Sequence, residues 1–137
     1  MDITFVAGVT PICADPLTSV AFYRDLGVDF ESDDGDGYAY TQRLGGLKHL
    51  GIWPLRDAAL SCFGTPVWPD DVPVPQATIE FEVADVAAAE AELIAKGHRL
   101  LHGTRLEEWG QTTARLLSPE GLLVGVVSTP WLDAADS

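Results

Sequence analysis

Two segments of this chain, ADPLTSVAFYRDLG at residues 14–27 and ADVAAAEAELIAKG at residues 84–97, open on Ala-Asp and close on Gly at one constant spacing of seventy. A repeat of this kind marks a duplicated supersecondary unit, which constrains the fold more than any composition could. Each segment reads as a helix. Asp15 and Asp85 stand at the cap, Pro16 takes the first helical position of the first copy, and Gly27 and Gly97 supply the stops. A strand precedes each helix, at residues 3–12 and 77–83, the second containing the alternating stretch TIEFEV. After the first helix come a Gly- and Asp-rich turn at 31–37, then YAYTQRL and KHLGIWPL as two strands joined at Gly45-Gly46 in a plausible hairpin. After the second come the stretch around His98 to His102, TTARLLS, and LLVGVVS behind the turn SPEG. The expected fold is therefore α+β: two tandem βαβββ modules (about 1–65 and 77–132), a proline-punctuated linker (about 66–76) and a short tail (133–137), all in one domain. Two four-stranded antiparallel or mixed sheets, cupped and covered by helices on their convex side, would leave their concave faces to form a ligand cleft.

The chain has 137 residues, 47% of them hydrophobic, enough for one ordinary core. No run approaches the roughly eighteen apolar residues of a membrane span, and the N-terminus does not read as a secretory signal, so a cytoplasmic location is expected. Twenty-one acids against eight bases give a formal charge of -13. That balance argues against nucleic acid and anionic membrane surfaces as partners and favours cationic small molecules. Cys13 and Cys62 lack metal-ligand spacing and read as structural thiols.

Three pieces in order, the first strand followed by Asp15 and SVAFYRDLG, FEVADV followed by its helix and GHRLL, and EEWGQTTARLLSPEGLLVGVV, resemble the vicinal oxygen chelate superfamily. That superfamily contains glyoxalase I, extradiol dioxygenases, fosfomycin-resistance enzymes and bleomycin-resistance proteins. The resemblance spans nearly the whole chain and implies paired βαβββ modules. It also implies four metal-ligand positions, of His or Glu, on the first and last strand of each module. Counting from the Asp caps places two of them at Gly8 and Thr78, and counting from SPEG places a third at Gly125. Matching Trp53-Pro54 to Thr129-Pro130 sets His49 opposite Gly125 as the fourth. Glycine carries no ligand atom and threonine is a poor one, so no metal and no other cofactor is expected. His98 and His102 fall outside these positions and read as surface residues.

Strand alternation then places Thr78, Glu80 and Glu82 on the cleft side of TIEFEV, with Glu82 closer to the strand end and water. The same phase turns Gly8 and Thr10, His49, Gly51 and Trp53, and Leu123, Gly125 and Val127 inward, so that three wall glycines leave room for a ligand. Tyr38 and Tyr40 share one strand face, and Trp68 and Trp109 lie in connectors that could rim the opening. Aromatic faces stack on planar ligands and attract cations, and carboxylates pair with ammonium or amidinium groups. The expected ligand-binding set is therefore Tyr38, Tyr40, His49, Trp53, Trp68, Glu80, Glu82 and Trp109, with no catalytic residue. The corresponding function resembles that of metal-free bleomycin-resistance proteins: sequestration of a cationic or planar aromatic molecule such as an antibiotic, by a homodimer as the resemblance implies. The alternative is an enzyme of the same superfamily, a lyase, isomerase or dioxygenase, with an atypical site built on His49 and Glu80.

Overall fold

The first strands of the two modules meet at the centre of the molecule. In a computed structural model, β1 (Phe5–Cys13) and β5 (Ala77–Glu82) pair antiparallel, with Thr10 opposite Thr78 and Gly8 opposite Glu80. The structure describes residues 1–33 and 37–135, and side chains up to Leu132. Part of the expected 31–37 turn, and the last two residues of the expected tail, lie outside the described residues. On each side of the central pair the module's last strand is added in parallel: β4 (Leu50–Pro54) beside β1, and β8 (Leu123–Ser128) beside β5. β3 (Ala39–Thr41) and β2 (Ser32–Asp33) extend the first half, β7 (Thr112–Leu117) and β6 (Leu100–Leu106) the second. The result is one mixed eight-stranded sheet in the order β2-β3-β4-β1-β5-β8-β7-β6, rather than two separate four-stranded ones.

The capped repeat segments form α1 (Pro16–Asp25) and α3 (Val86–Ala95), with Asp15 and Asp85 accepting from the backbone N–H of Thr18 and Ala88. Both pack on one face of the sheet. Val20 meets Phe30, Ala39 and Ile52 under α1, while Val86 and Ala89 meet Val83, Ala114 and Val126 under α3. Two further helices were not legible in the sequence, α2 (Leu55–Phe63) and α4 (Pro130–Ala135), each directly after the last strand of its module. They pack on the opposite face. Ala58, Ala59 and Cys62 of α2 close over Trp53 and Leu123, and Leu132 of α4 closes over Ala7 and Val127. The helices expected on the convex side are α1 and α3, and the second pair roofs the two ends of the other face and leaves its middle open.

The expected hairpin joined at Gly45-Gly46 forms, with a longer connection. β3 and β4 are antiparallel neighbours, with Tyr40 opposite Gly51, and residues 42–49 connect them. A register shift between Val6 and Gly8 inserts Ala7 as an extra residue in β1, turning it in beside Val127 and Leu132.

Candidate functional site

Between α2 and α4 the sheet floors a cavity of about 960 Å³, within the range of drug-sized ligand sites. Residues opposite one another across a sheet point the same way, so the floor is two rows: Thr10 with Thr78, and Gly8, Glu80, Gly125 and Arg115. Six of the eight expected ligand-binding residues line it: Tyr38, Tyr40, His49, Trp53, Glu80 and Trp109.

The other two do not. Trp68 is buried in the core against Phe63, 4.9 Å between ring centroids, and its indole N–H donates to the Val72 carbonyl at 3.0 Å. Its connector folds back under α2 instead of rimming the opening. Glu82 points to the expected face but is 2% exposed, and its Oε2 accepts from the Thr129 backbone N–H at 2.7 Å. The chain's turn into α4 covers the strand end that was expected to meet water.

One wall is aromatic. The rings of Tyr38, Tyr40 and His49 lie nearly parallel, with interplanar angles of 28°, 12° and 16° and centroids 5.1 to 6.0 Å apart. Tyr38 Oη hydrogen-bonds His49 Nε2, and the Gln42 amide nitrogen donates to His49 Nδ1 at 3.2 Å. With Nδ1 accepting, the neutral ring carries its proton on Nε2 and donates it to the phenol oxygen. Burial holds the His49 pKa below its ordinary value, against the pull of Glu80 and Glu31. Burial, then the Glu80 charge, raises the Tyr38 phenol above its ordinary range. Both groups are therefore neutral at physiological pH.

The wall glycines serve this packing more than they create empty space. A Cβ at Gly51 would stand 2.5 Å from Tyr38 Oη, and one at Gly8 would stand 3.0 Å from the His49 carbonyl oxygen. Gly51 lets the phenol lie across β4, and Gly8 lets the chain at His49 approach β1.

The opposite side is a buried polar network that the sequence reading missed. Arg115 is 1% exposed, and its NH2 donates to Glu80 Oε2 at 3.0 Å. Its NH1 donates to Ser61 Oγ at 3.2 Å and lies 3.7 Å from Glu107 Oε1. The guanidinium carbon sits 5.0 Å from the centroid of the Trp53 ring. Glu107 Oε1 also accepts from Ser61 and Thr113 hydroxyls, both at 2.9 Å, and from Arg105 at 3.2 Å. Burial opposes ionisation of Glu107, but those hydroxyl donors and the Arg115 charge outweigh it and hold the carboxyl below its ordinary value. Gln111 donates to Glu80 Oε1 at 3.2 Å and to Thr129 Oγ1 at 2.9 Å, and accepts from the Trp109 indole at 3.0 Å. The one available signal was phase. Arg115 lies between Ala114 and Leu116 on an interior strand, on the side that faces the cavity.

Glu80 is thus not a free carboxylate awaiting a cation, because Arg115 already neutralises it. Four acids line the cavity (Asp57, Glu80, Glu107 and Glu108) against two arginines, Arg105 and Arg115. Leu60, Leu106, Trp109 and Trp131 line it too, and each is 41 to 70% exposed. Such a mouth offers apolar surface to whatever enters.

The sheet register corrects one metal-ligand position. Val9 is opposite Leu50 and its repeat counterpart Ile79 is opposite Val124, so Gly51, not His49, corresponds to Gly125. The spacing of the repeat has grown from seventy at the helices to seventy-four at these strands, a drift that the proline match misjudged. The four positions are then Gly8, Gly51, Thr78 and Gly125. Among the described residues no group of three or more His, Cys, Asp or Glu could hold a metal ion. The nearest carboxylate, Glu80, is bound to a fixed guanidinium. These residues do not fit a divalent ion.

No family model and no curated protein matches the chain. Solved structures do. A glyoxalase/bleomycin resistance protein/dioxygenase superfamily member from Vibrio splendidus 12B01 is similar at 16% identity and a TM-score of 0.59, over 91% of this chain and 98% of that one. A methylmalonyl-CoA epimerase from Streptomyces coelicolor is similar at 24% identity and a TM-score of 0.55, over 93% and 96%. A Mn(II)-bound glyoxalase from Novosphingobium aromaticivorans is similar at 14% identity and a TM-score of 0.59, over 92% of this chain and 38% of that one. With its two modules joined through their first strands into one mixed sheet, this chain has the fold of the glyoxalase/bleomycin resistance/dioxygenase superfamily, the vicinal oxygen chelate fold.

Proposed function

We propose that this chain is a metal-independent small-molecule-binding protein whose cavity takes a planar aromatic ligand, an antibiotic being one such molecule, and sequesters it unchanged. The observation that carries this reading is the Tyr38, Tyr40 and His49 wall, three nearly parallel rings on a cavity of drug size. Parallel rings present the face on which a planar π-system stacks. Both the lining, two acids in excess over its arginines, and the formal charge of -13 favour a cationic ligand over an anionic one. The cation would be attracted by ring faces and by Asp57 and Glu108 at the mouth rather than by Glu80. A homodimer is part of the proposal. The enzyme alternative loses support because Glu80 is held by Arg115 and Gln111, and His49 is bonded through both ring nitrogens.

Titration calorimetry with proflavine (a planar cation), acridone (planar and neutral) and a saturated amine of similar size tests it. Both planar compounds should bind and the amine should not. Tyr40→Ala should weaken them about three- to tenfold, the worth of one aromatic stacking partner. Failure of every planar compound to bind below high micromolar would end the sequestration reading.

A further inference from the structure

Two polar atoms in the cavity floor have no hydrogen-bond partner among the described residues: Thr78 Oγ1 and Arg115 Nε. Both side chains line the cavity, and both are more than nine-tenths buried, at 2% and 1% exposure. They lie in adjacent floor rows, since Thr78 is two residues before Glu80, the residue that holds the Arg115 guanidinium. Buried polar atoms are nearly always paired, because leaving one unpaired costs the desolvation of that atom. The other polar atoms of Arg115 obey this rule, with Glu80 on one terminal nitrogen and Ser61 and Glu107 on the other. These two atoms therefore stand out, and both belong to residues that line this cavity.

Their chemistry restricts what would complete them. A guanidinium Nε–H can only donate, and a threonine hydroxyl can donate. A hydrogen-bond acceptor satisfies both. Carboxylates are a poor choice, because the ligand's anion would join Glu80 and Glu107, whose charges already balance those of Arg115 and Arg105. A neutral oxygen acceptor brings no such charge.

We infer that the floor at Thr78 and Arg115 is a subsite for a neutral carbonyl oxygen, so that the planar ligand carries a carbonyl, as a quinone, lactam or acridone-type ring does, on its inward edge. This rests on the proposed planar-ligand function and names the polar end of that ligand. The carbonyl would accept from the Thr78 hydroxyl and the Arg115 Nε–H, with its ring system against the tyrosine and histidine wall.

The test is Thr78→Val, which removes the hydroxyl at nearly constant volume, with Thr78→Ser as the variant that keeps it. Acridone carries the carbonyl and proflavine lacks it. Thr78→Val should weaken acridone about fivefold or more, the worth of one neutral hydrogen bond, and leave proflavine unchanged. Thr78→Ser should keep acridone within about twofold of the parent protein. Thermal unfolding adds a readout independent of any ligand. Because the hydroxyl has no partner among the described residues, Thr78→Val should unfold at the same or a higher temperature. The inference is overturned if acridone binds Thr78→Val as it binds the parent, if both compounds weaken alike, or if Thr78→Ser behaves as the valine variant does. A melting temperature lowered by several degrees overturns it as well, since the hydroxyl would then be paired inside the protein. If neither compound binds the parent protein, the planar-ligand function itself falls and takes the subsite with it, an outcome distinct from a selective failure at Thr78.

Discussion

Replacing Arg115 by Met keeps most of the side-chain volume and removes the charge. The consequence follows from what the guanidinium holds. Arg115 is 1% exposed, and its partners Glu80 and Glu107 are 16% and 7% exposed, so neither carboxylate can recover full hydration when the cation is lost. Glu107 keeps Arg105 and two hydroxyl donors, while Glu80 keeps only the Gln111 amide among these partners. Removing one member of a buried ion pair costs about 3–5 kcal/mol, chiefly through the charge left behind. At about 2–4 °C per kcal/mol for domains a little larger than this one, the melting temperature should fall by roughly 10 °C or more. Glu80→Gln should also destabilise, by less, because its amide can still accept from Arg115.

The double variant Glu80→Gln/Arg115→Met decides between causes. With the stranded charge gone, it should be more stable than the sum of the single losses predicts, by about 1 kcal/mol or more, as contacting residues of one network couple by about 0.5–3 kcal/mol. Urea unfolding followed by tryptophan fluorescence is the assay, with the Trp53 ring 5.0 Å from the guanidinium as a local reporter. A loss below about 1 kcal/mol for Arg115→Met, or strict additivity in the double variant, would refute the reading of Arg115 as the neutralising strut of the floor.

Two further predictions concern the aromatic wall and the response to acid. Gly51→Ala should destabilise the protein by about 1–3 kcal/mol through overpacking, since the new Cβ meets Tyr38 Oη at 2.5 Å and the ring carbon behind it at 2.9 Å. It should weaken planar ligands with it, and normal stability measured by urea unfolding would show that the phenol can move aside freely. His49 and His102 both have pKa values lowered from 6.5, first of all by burial, so below that pH the unfolded chain takes up protons that the folded one does not. Stability should therefore be full above about pH 6.5 and fall as the pH drops toward the folded-state values. Glu107, with its lowered carboxyl, adds a further loss at still lower pH, through the window below 4.5. His49→Gln combined with His102→Gln should flatten the first part of the profile, and an unchanged slope between pH 6.5 and 5 in urea titrations would contradict it.

Local chemistry made much of the architecture legible. Asp15 and Asp85 cap helices because their carboxylates satisfy orphan backbone N–H groups, a property of the residue and its neighbours alone. The alternation of TIEFEV correctly sets Thr78 and Glu80 toward the cavity, because a strand has only two faces. α2 escaped notice because its segment, LRDAALSCF, begins directly after Pro54, with no side-chain cap hydrogen bond, and runs on from an apolar strand. The connection between β3 and β4 also ran longer than its glycine pair suggested, since the register of Tyr40 against Gly51 is set by packing across the sheet.

What the sequence determined by itself, then, was the duplicated strand and helix order and the facing of side chains along each strand, since caps, stops and alternation act over a few residues. Only the tertiary structure decided which distant residues meet. It joined the modules through β1 and β5 into one sheet, matched Gly51 to Gly125, buried Trp68 and Glu82, and set Arg115 on Glu80 across the intervening Gly125. The physical reason is that the charge state of a cleft is a property of pairs. Glu80 read alone is a carboxylate looking for a cation, whereas the sheet register brings it a cation from thirty-five residues away.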